Sequence, residues 1–257
     1  MTRTRFGSPG AFTRSASDYV VAMVPALAPV AVEVVRRANL RPAETVLDIG
    51  TGTGAGARLA IGDGRRVIGL DAAAGMLEIA RDEVPAAEFI EADFTHMPLE
   101  DGMADVAIAI HALLFASDRV AALGEWLRVT KPGGRLSLSV PGPPDAVPAT
   151  VFGDIYDRYE VEWHPNDFPV RADLATWASD AGWADIATDA APSTAITLEN
   201  EESFDAWLRF GFMTHDWDAD RLDAFKAGLM AAAPRGPGGT YRIPFGALYL
   251  TARRGDA

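Results

Sequence analysis

Residues 46–54 read VLDIGTGTG, a short apolar run that carries one acid near its end and then breaks into alternating glycines. Residues 55–60 follow as the expected start of a helix. A strand, a glycine-rich turn and a helix in this order let bare backbone approach a nucleotide-like ligand. The acid in the run, Asp48, indicates a ligand that also carries a positive charge.

Strands and helices alternate outward from this stretch, from about residue 45 to residue 140. The pattern predicts strands at 45–49, 66–70, 87–90, 106–110 and 135–140, with helices at 73–81 and 120–129. A turn is expected at 131–134, which reads KPGG. This alternation predicts an α/β fold with a doubly wound, Rossmann-like, mostly parallel sheet.

The flanking parts of the chain differ in pattern. An N-terminal helix is predicted at 18–38, broken near Pro25 and Pro29, and a proline-rich linker follows the core at 141–148. Beyond it we expect helices at 171–182, 201–213 and 218–232, a strand region at 183–198 and a closing strand at 241–252. These patterns predict an N-terminal helical cap (1–40), a ligand-binding core (41–140), lid insertions for substrate recognition that include one core helix and strand (141–240), and a final core strand with its tail (241–257).

The composition limits the possible functions. The 257 residues are 49% hydrophobic, which suits one large α/β domain. The absence of cysteine excludes disulfides, thiolate metal sites and cysteine nucleophiles, and it fits a reducing compartment, so a cytoplasmic protein is predicted. A net charge of −13 disfavours nucleic acid and membrane surfaces as partners, and no apolar run is long enough to span a bilayer.

Three acids follow successive predicted strands at similar intervals. Asp48 lies at the exit of the first strand, Asp71 ends the second and Asp93 follows the third. In a doubly wound sheet all three lie at the carboxyl edge, where ligands bind. Asp71 can accept hydrogen bonds from two ribose hydroxyls, Asp93 from an adenine amino group, and Asp48 can stabilise an ammonium. A nucleoside joined to an amino acid would use all three.

These motifs together resemble the class I S-adenosylmethionine-dependent methyltransferases from about residue 40 to residue 140. The matching segments are DIGTGTG at 48–54, GLD at 69–71 with Met76-Leu77, ADF at 92–94 and KPGG at 131–134. The chain is most similar to the small-molecule group that includes the ubiquinone/menaquinone biosynthesis methyltransferases, and 247–253 resembles that family's last strand. The resemblance implies a seven-stranded sheet with an antiparallel last strand and helical lid insertions.

The resemblance also implies the cofactor and its contacts. S-adenosylmethionine would supply a methyl group for an oxygen, nitrogen or carbon atom of a small, partly apolar acceptor. The implied contacts are the turn (Asp48, Gly50, Thr51, Gly52, Gly54) for the methionine part, Asp71 for the ribose, Ala72, Met76, Asp93 and Phe94 for the adenine, and Ile110 and His111 beside the reacting methyl.

An acceptor with an acidic proton needs a nearby base. Of the four histidines His111 is the best candidate, because the exit of the fourth strand faces the methyl group, although it could equally be a wall residue. Residues expected near the acceptor are Tyr19, Phe115, Tyr156, Trp163, His164 and His215. No recognised ligand spacing joins His164, Asp167, His215 and Asp216, so no metal is predicted. We expect a monomer or a homodimer.

Two alternatives remain at this point. Residues 52–57 also satisfy the GxGxxG/A dinucleotide fingerprint, which would suit a NAD-dependent oxidoreductase with Asp71 on the ribose. That alternative explains neither Asp48 nor the segments at 92–94 and 131–134. The second alternative is a non-catalytic S-adenosylmethionine-binding protein, since a fold alone does not determine function.

Overall fold

A computed structural model of the chain describes residues 8–143, 146–161, 171–190, 194–212 and 217–256. The main sheet has seven strands in the order β3-β2-β1-β4-β5-β9-β6. They are β1 (Thr45–Ile49), β2 (Arg66–Asp71), β3 (Glu88–Glu91), β4 (Ala104–Ile110), β5 (Thr130–Pro141), β6 (Ala184–Ala190) and β9 (Ala247–Arg253). Strands β1 to β5 pair in parallel, whereas β9 is antiparallel to both of its neighbours, β5 and β6. The predicted sheet is thereby confirmed.

Helices cover both faces of the sheet, because successive strand residues point to opposite sides. In β1, Val46 packs in one buried cluster with α3 (Val24–Ala38) and α4 (Ala55–Ala60). Leu47 and Ile49 pack in a second cluster with α6 (Arg119–Val129) and α8 (Arg171–Asp180). The described helices are α1 (Pro9–Arg14), α2 (Ala16–Ala22), α3 (Val24–Ala38), α4 (Ala55–Ala60), α5 (Ala74–Glu83), α6 (Arg119–Val129), α7 (Ala149–Arg158), α8 (Arg171–Asp180), α9 (Glu201–Phe212) and α10 (Ala219–Ala232).

The N-terminal helix breaks once rather than at both prolines. α2 ends at Ala22, and Pro25 lies in the first turn of α3, where its missing N–H costs no hydrogen bond. Pro29 lies inside α3 without ending it. Within the described residues, no single helix has the length and apolar composition to cross a membrane, although α2 and α3, bent by 75°, pass that test as a pair.

The KPGG segment is not a free turn, so that prediction was wrong. It lies inside β5, where Thr130 pairs with Ala104 and the regular register resumes at Arg135, opposite Val106. Gly133 adopts a φ of +71° in the resulting irregularity. Two hydrogen bonds hold the segment within the strand, since Gly133 N–H donates to Arg254 O and Arg254 N–H donates to Gly134 O.

The expected closing strand at 241–252 is two strands, β8 (Tyr241–Phe245) and β9. β8 leaves the main sheet and pairs with β7 (Thr194–Leu198) in a separate two-stranded sheet. The break falls at Gly246, where a β-carbon would lie 2.5 Å from Gly142 O. Gly142 N–H donates to Gly246 O, and this contact requires the two backbones to touch. The domain limits drawn from the sequence otherwise stay predictions.

Candidate active site

The glycine turn after β1 is built for close backbone approach. Gly50, Gly52 and Gly54 have φ values of +65°, +54° and +86°, a region that side chains other than glycine rarely adopt. A β-carbon on Gly50 would lie 2.5 Å from the β-carbon of Ala112. The turn from β1 and the exit of β4 are therefore in direct contact.

This contact gives a testable prediction. Gly50→Ala is expected to lower the free energy of unfolding by about 2–4 kcal/mol, because it adds backbone strain and a clash against a packed neighbour. Gly64→Ala is the matched control, since Gly64 has a φ of +69° with nothing within 4 Å of the added carbon. Denaturant titration of both variants separates the clash from the strain, and an equal loss in both would contradict the close contact at Gly50.

Asp48 lies almost fully buried beneath the turn. Its Oδ2 accepts hydrogen bonds from Thr51 Oγ1 at 2.6 Å and from the backbone N–H of Ala57 at 2.8 Å. Its Oδ1 is buried and has no hydrogen-bond partner among the described residues. Burial is the main cause that raises the pKa of Asp48 to about 6, and the charge of Asp71 adds to it. An unpaired carboxylate oxygen of this kind can accept a hydrogen bond from a cationic ligand.

Asp71, at the end of β2, joins the turn to the start of α5. Its Oδ2 accepts the N–H of Gly52 and its Oδ1 the N–H of Ala73, both at 2.9 Å. Burial raises the pKa of Asp71, while these backbone hydrogen bonds oppose the shift. Each carboxylate oxygen has a second lone pair, so the two oxygens can still accept hydrogen bonds from two hydroxyl groups.

The predicted adenine residues lie on both sides of this edge. Met76 is buried on α5 against Ala16 of the cap, and Ala72 is half-buried beside Asp71. The exposed Asp93 accepts hydrogen bonds from Thr95 N–H at 2.8 Å and Thr95 Oγ1 at 2.7 Å, which lower its pKa. Phe94 packs edge-on against Trp126, with 5.8 Å between ring centroids.

His111 directly follows Ile110, the last residue of β4, and has a φ of +55°, unusual for a non-glycine residue. Its backbone N–H donates to Ser139 O at 3.0 Å, and its Nδ1 lies 3.0 Å from Ser139 Oγ. Nε2 is buried and has no partner among the described residues. Burial lowers the pKa of His111 to about 3, so its imidazole is neutral at physiological pH, although the backbone of Ser139 opposes the shift.

The cap places aromatic rings over the same edge. Phe12 of α1 contacts Phe115 and Phe210, with ring centroids 5.0 and 5.8 Å away, and Tyr19 of α2 contacts Phe210 at 5.1 Å. We call these four residues the aromatic cluster. Burial raises the pKa of Tyr19, and the nearby charges of Asp71 and Asp48 add to this effect. The cluster therefore lies beside the acidic turn, and an Asp18–Arg209 ion pair at 2.8 Å joins α2 to α9 there.

Several residues that were predicted to lie near the acceptor molecule are not part of this site. Tyr156 packs against Phe152 and Phe225 inside the lid insertion. The remaining ones (Trp163, His164 and His215), together with Asp167 and Asp216, lie outside the described residues. Among the residues that are described, no group of three or more acidic or histidine side chains could hold a metal ion.

The sequence also contained site residues that its patterns did not reveal. Phe12 belongs to the segment that was read as a cap, and nothing in the pattern linked it to Phe210 on the lid helix, which was itself expected as a possible wall of an apolar pocket. Ser139 carried only a weak signal, because residues 135–140 read RLSLSV and Ser137 fits the same alternation of polar and apolar residues. Phe245 reaches His111, with 5.3 Å between ring centroids, because β8 leaves the main sheet.

Comparison with known proteins agrees with this geometry. A family model described as a methyltransferase domain matches residues 47–138. A demethylmenaquinone methyltransferase of Renibacterium salmoninarum is 30% identical over 165 residues, which cover 56% of this chain and 68% of that protein. The chain belongs to the class I S-adenosylmethionine-dependent methyltransferases. S-adenosylmethionine is therefore its cofactor, and the hypothesis of a NAD-dependent oxidoreductase is rejected.

Two further similarities extend the assignment. A malonyl-[acyl-carrier protein] O-methyltransferase of Serratia marcescens is 34% identical over 158 residues, and this methyltransferase spans 60% of that relative's length. The YcgJ protein of Bacillus subtilis has the same fold, with a TM-score of 0.62 at 20% identity over 88% of this chain and 98% of that one.

Proposed function

We propose that this methyltransferase transfers the methyl group of S-adenosylmethionine to an oxygen, nitrogen or carbon atom of a small, partly apolar organic molecule. One observation carries the proposal: a glycine turn, the buried carboxylate of Asp48 and the half-buried carboxylate of Asp71 share one sheet edge beneath the aromatic cluster. The acids suit a cofactor that has both a ribose and an ammonium, and the rings suit an apolar acceptor.

The described residues fit the cofactor. The unpaired Oδ1 of Asp48 offers an acceptor for the ammonium, and the two oxygens of Asp71 offer acceptors for the ribose hydroxyls. Gly52 leaves room beside the turn, since the nearest atom to an added β-carbon there would be Tyr19 Oη at 3.9 Å, and Asp93 would accept from the adenine amino group. When bound, S-adenosylmethionine supplies an activated methyl group, and the protein contributes placement and exclusion of water.

The remaining adenine and methyl contacts stay as the sequence predicted them. Ala72, Met76 and Phe94 would surround the adenine, and Ile110 and His111 would lie beside the reacting methyl. Thr51 and Gly54 would act through the turn, since Thr51 Oγ1 donates to Asp48 and Gly54 begins α4. Each of these roles is part of the proposal.

The acceptor is proposed to be a small molecule because the aromatic cluster presents rings rather than charge. The two relatives carry the names of different acceptors, a malonyl group on a carrier protein and a demethylated quinone. A net charge of −13 opposes nucleic acid and anionic membranes as partners. A monomer or homodimer is proposed, and the cytoplasmic location stays a prediction.

Titration calorimetry with S-adenosylmethionine and NAD in parallel tests the cofactor. We expect saturable binding of S-adenosylmethionine and none of NAD. Transfer of a labelled methyl group to a panel of small aromatic and aliphatic acceptors then tests the activity. Binding without transfer to any acceptor would favour the non-catalytic alternative, and binding of NAD alone would overturn the proposal.

A further inference from the structure

His111 and Ser139 form a buried polar pair at the exit of β4. Ser139 lies on β5 with no exposed surface, and its Oγ is 3.0 Å from His111 Nδ1 and 3.3 Å from the backbone N–H of His111. The ring of Phe245 packs against the imidazole. The position of the imidazole proton is therefore determined by very few neighbours.

Two arrangements of that proton are possible, and they differ in how many buried groups lack a partner. If Nδ1–H donates to Ser139 Oγ, two buried groups lack a partner among the described residues: the hydroxyl hydrogen of Ser139 and the lone pair of Nε2. If Ser139 O–H donates to Nδ1, only Nε2–H lacks a partner. Each buried polar group without a hydrogen bond disfavours its arrangement by about tenfold or more, so the second arrangement is preferred.

The carbonyl of Ser139 does not remove this preference. It accepts the backbone N–H of His111 at 3.0 Å and has a second lone pair. An imidazole N–H that donated to it would, however, still leave the hydroxyl hydrogen of Ser139 without an acceptor among the described residues, whereas Nδ1 lies 3.0 Å from that hydroxyl. In addition, the unpaired Nε2 is buried, as expected for a group whose partner arrives with a ligand.

We infer that His111 presents a fixed Nε2–H to the acceptor molecule, that Ser139 is the positioning residue for this tautomer, and that the acceptor is a carboxylate. The inference rests on the proposed function. Because Nε2 already carries a proton in this tautomer, it can donate a hydrogen bond to the acceptor oxygen but cannot take a proton from it. A carboxylate is the simplest oxygen nucleophile in small organic molecules that has no proton to lose.

The chemistry of the step supports this class. In this tautomer Nε2 already carries its proton, and burial lowers the pKa of His111, so the imidazole is a poor base for the proton that an alcohol must lose. A carboxylate has no proton to lose. A lone pair of its oxygen forms the new bond to the methyl carbon, and the sulfur–carbon bond breaks with its electron pair left on sulfur. The positive and negative charges cancel, the product is a methyl ester, and no base is required.

Long-range proton–nitrogen NMR of the full chain tests the tautomer without any turnover. Comparison with His111→Gln assigns the resonances of His111. We expect the proton on Nε2 between pH 6 and pH 8, and about a tenfold lower ratio of Nε2–H to Nδ1–H in Ser139→Ala. Ser137→Ala is the control, because Ser137 is equally buried two residues earlier on β5 but donates to Val34 O. A proton on Nδ1 in the wild type, or an equal effect of both serine variants, would overturn the inference.

Matched acceptors test the substrate class. Aryl-alkanoic acids and the alcohols of the same carbon skeleton are offered with labelled S-adenosylmethionine. We expect methyl esters from the acids at a rate at least tenfold above ether formation from the alcohols, with no change between pH 7 and pH 9. Faster methylation of the alcohols, or none of the acids, would overturn the acceptor class. Calorimetry shows separately whether S-adenosylmethionine still binds, which distinguishes this failure from failure of the proposed function.

Discussion

Asp71→Ala is expected to weaken the binding of S-adenosylmethionine by at least about a hundredfold. The change removes the two charged hydrogen-bond acceptors proposed for the ribose, and hydrogen bonds to charged groups contribute about 1.5–3 kcal/mol each, so about 3 kcal/mol is the lower bound. It also frees the N–H groups of Gly52 and Ala73, which Asp71 now holds at 2.9 Å. Titration calorimetry measures the loss. Asp63→Ala is the control, because Asp63 is exposed and pairs with Arg65 in a loop.

A modified ligand separates the ribose contact from loosening of the turn. In the wild type, the 2′-deoxy analogue of S-adenosylmethionine should bind more weakly than S-adenosylmethionine itself. In Asp71→Ala the two ligands should bind equally, because the group that distinguishes them is gone. If both proteins discriminate equally, Asp71 does not contact the ribose and acts only on the turn.

Asp48→Asn is expected to stabilise the protein without ligand by about 2 kcal/mol at pH 7.5 and to weaken its cofactor binding. Burial raises the pKa of Asp48 from 3.8 to about 6. Between these values the unfolded chain has lost the proton that the folded chain keeps. The free energy of unfolding of the wild type therefore falls as pH rises through this window, by up to about 3 kcal/mol, whereas asparagine does not titrate.

Denaturant titrations between pH 3.5 and pH 8 check the direction of this pH dependence of the free energy of unfolding. The difference between Asp48→Asn and the wild type should be small near pH 3.5 and should grow up to about pH 7. Asp105→Asn is the control, and it should lower the free energy of unfolding. Lys131 Nζ lies 2.7 Å from Asp105, and the pKa of that carboxyl is lowered. A loss of stability in Asp48→Asn at pH 7.5 would show that its two hydrogen bonds outweigh its burial.

The core sheet could be predicted from the sequence because its signals are local. The apolar runs of β1, β2 and β4, the glycines after β1 and the acids at the strand exits all lie within short segments. Parallel strands place their carboxyl ends at one edge whatever the details of packing. Asp48 and Asp71 could therefore be assigned to one site before any contact was known.

The errors arose where distant segments meet. KPGG is a turn by local chemistry, but its glycines pair with Arg254, more than a hundred residues away, and this pairing keeps the segment in β5. The closing strand splits at Gly246 because the backbone at Gly142 approaches it closely. Neither neighbour is detectable in the local pattern, since the pattern of a segment does not report which backbone it will touch.

The sequence by itself determined the sheet, the glycine turn and the acids proposed to hold S-adenosylmethionine, because strand periodicity and turn chemistry act over a few residues. Only the tertiary structure decided what surrounds the acceptor. His111 meets Ser139 across 28 residues and Asp18 meets Arg209 across 191. These pairs form through packing between remote helices and strands. For the same physical reason, the state of the His111 proton could not be predicted from the opening stretch at 46–54.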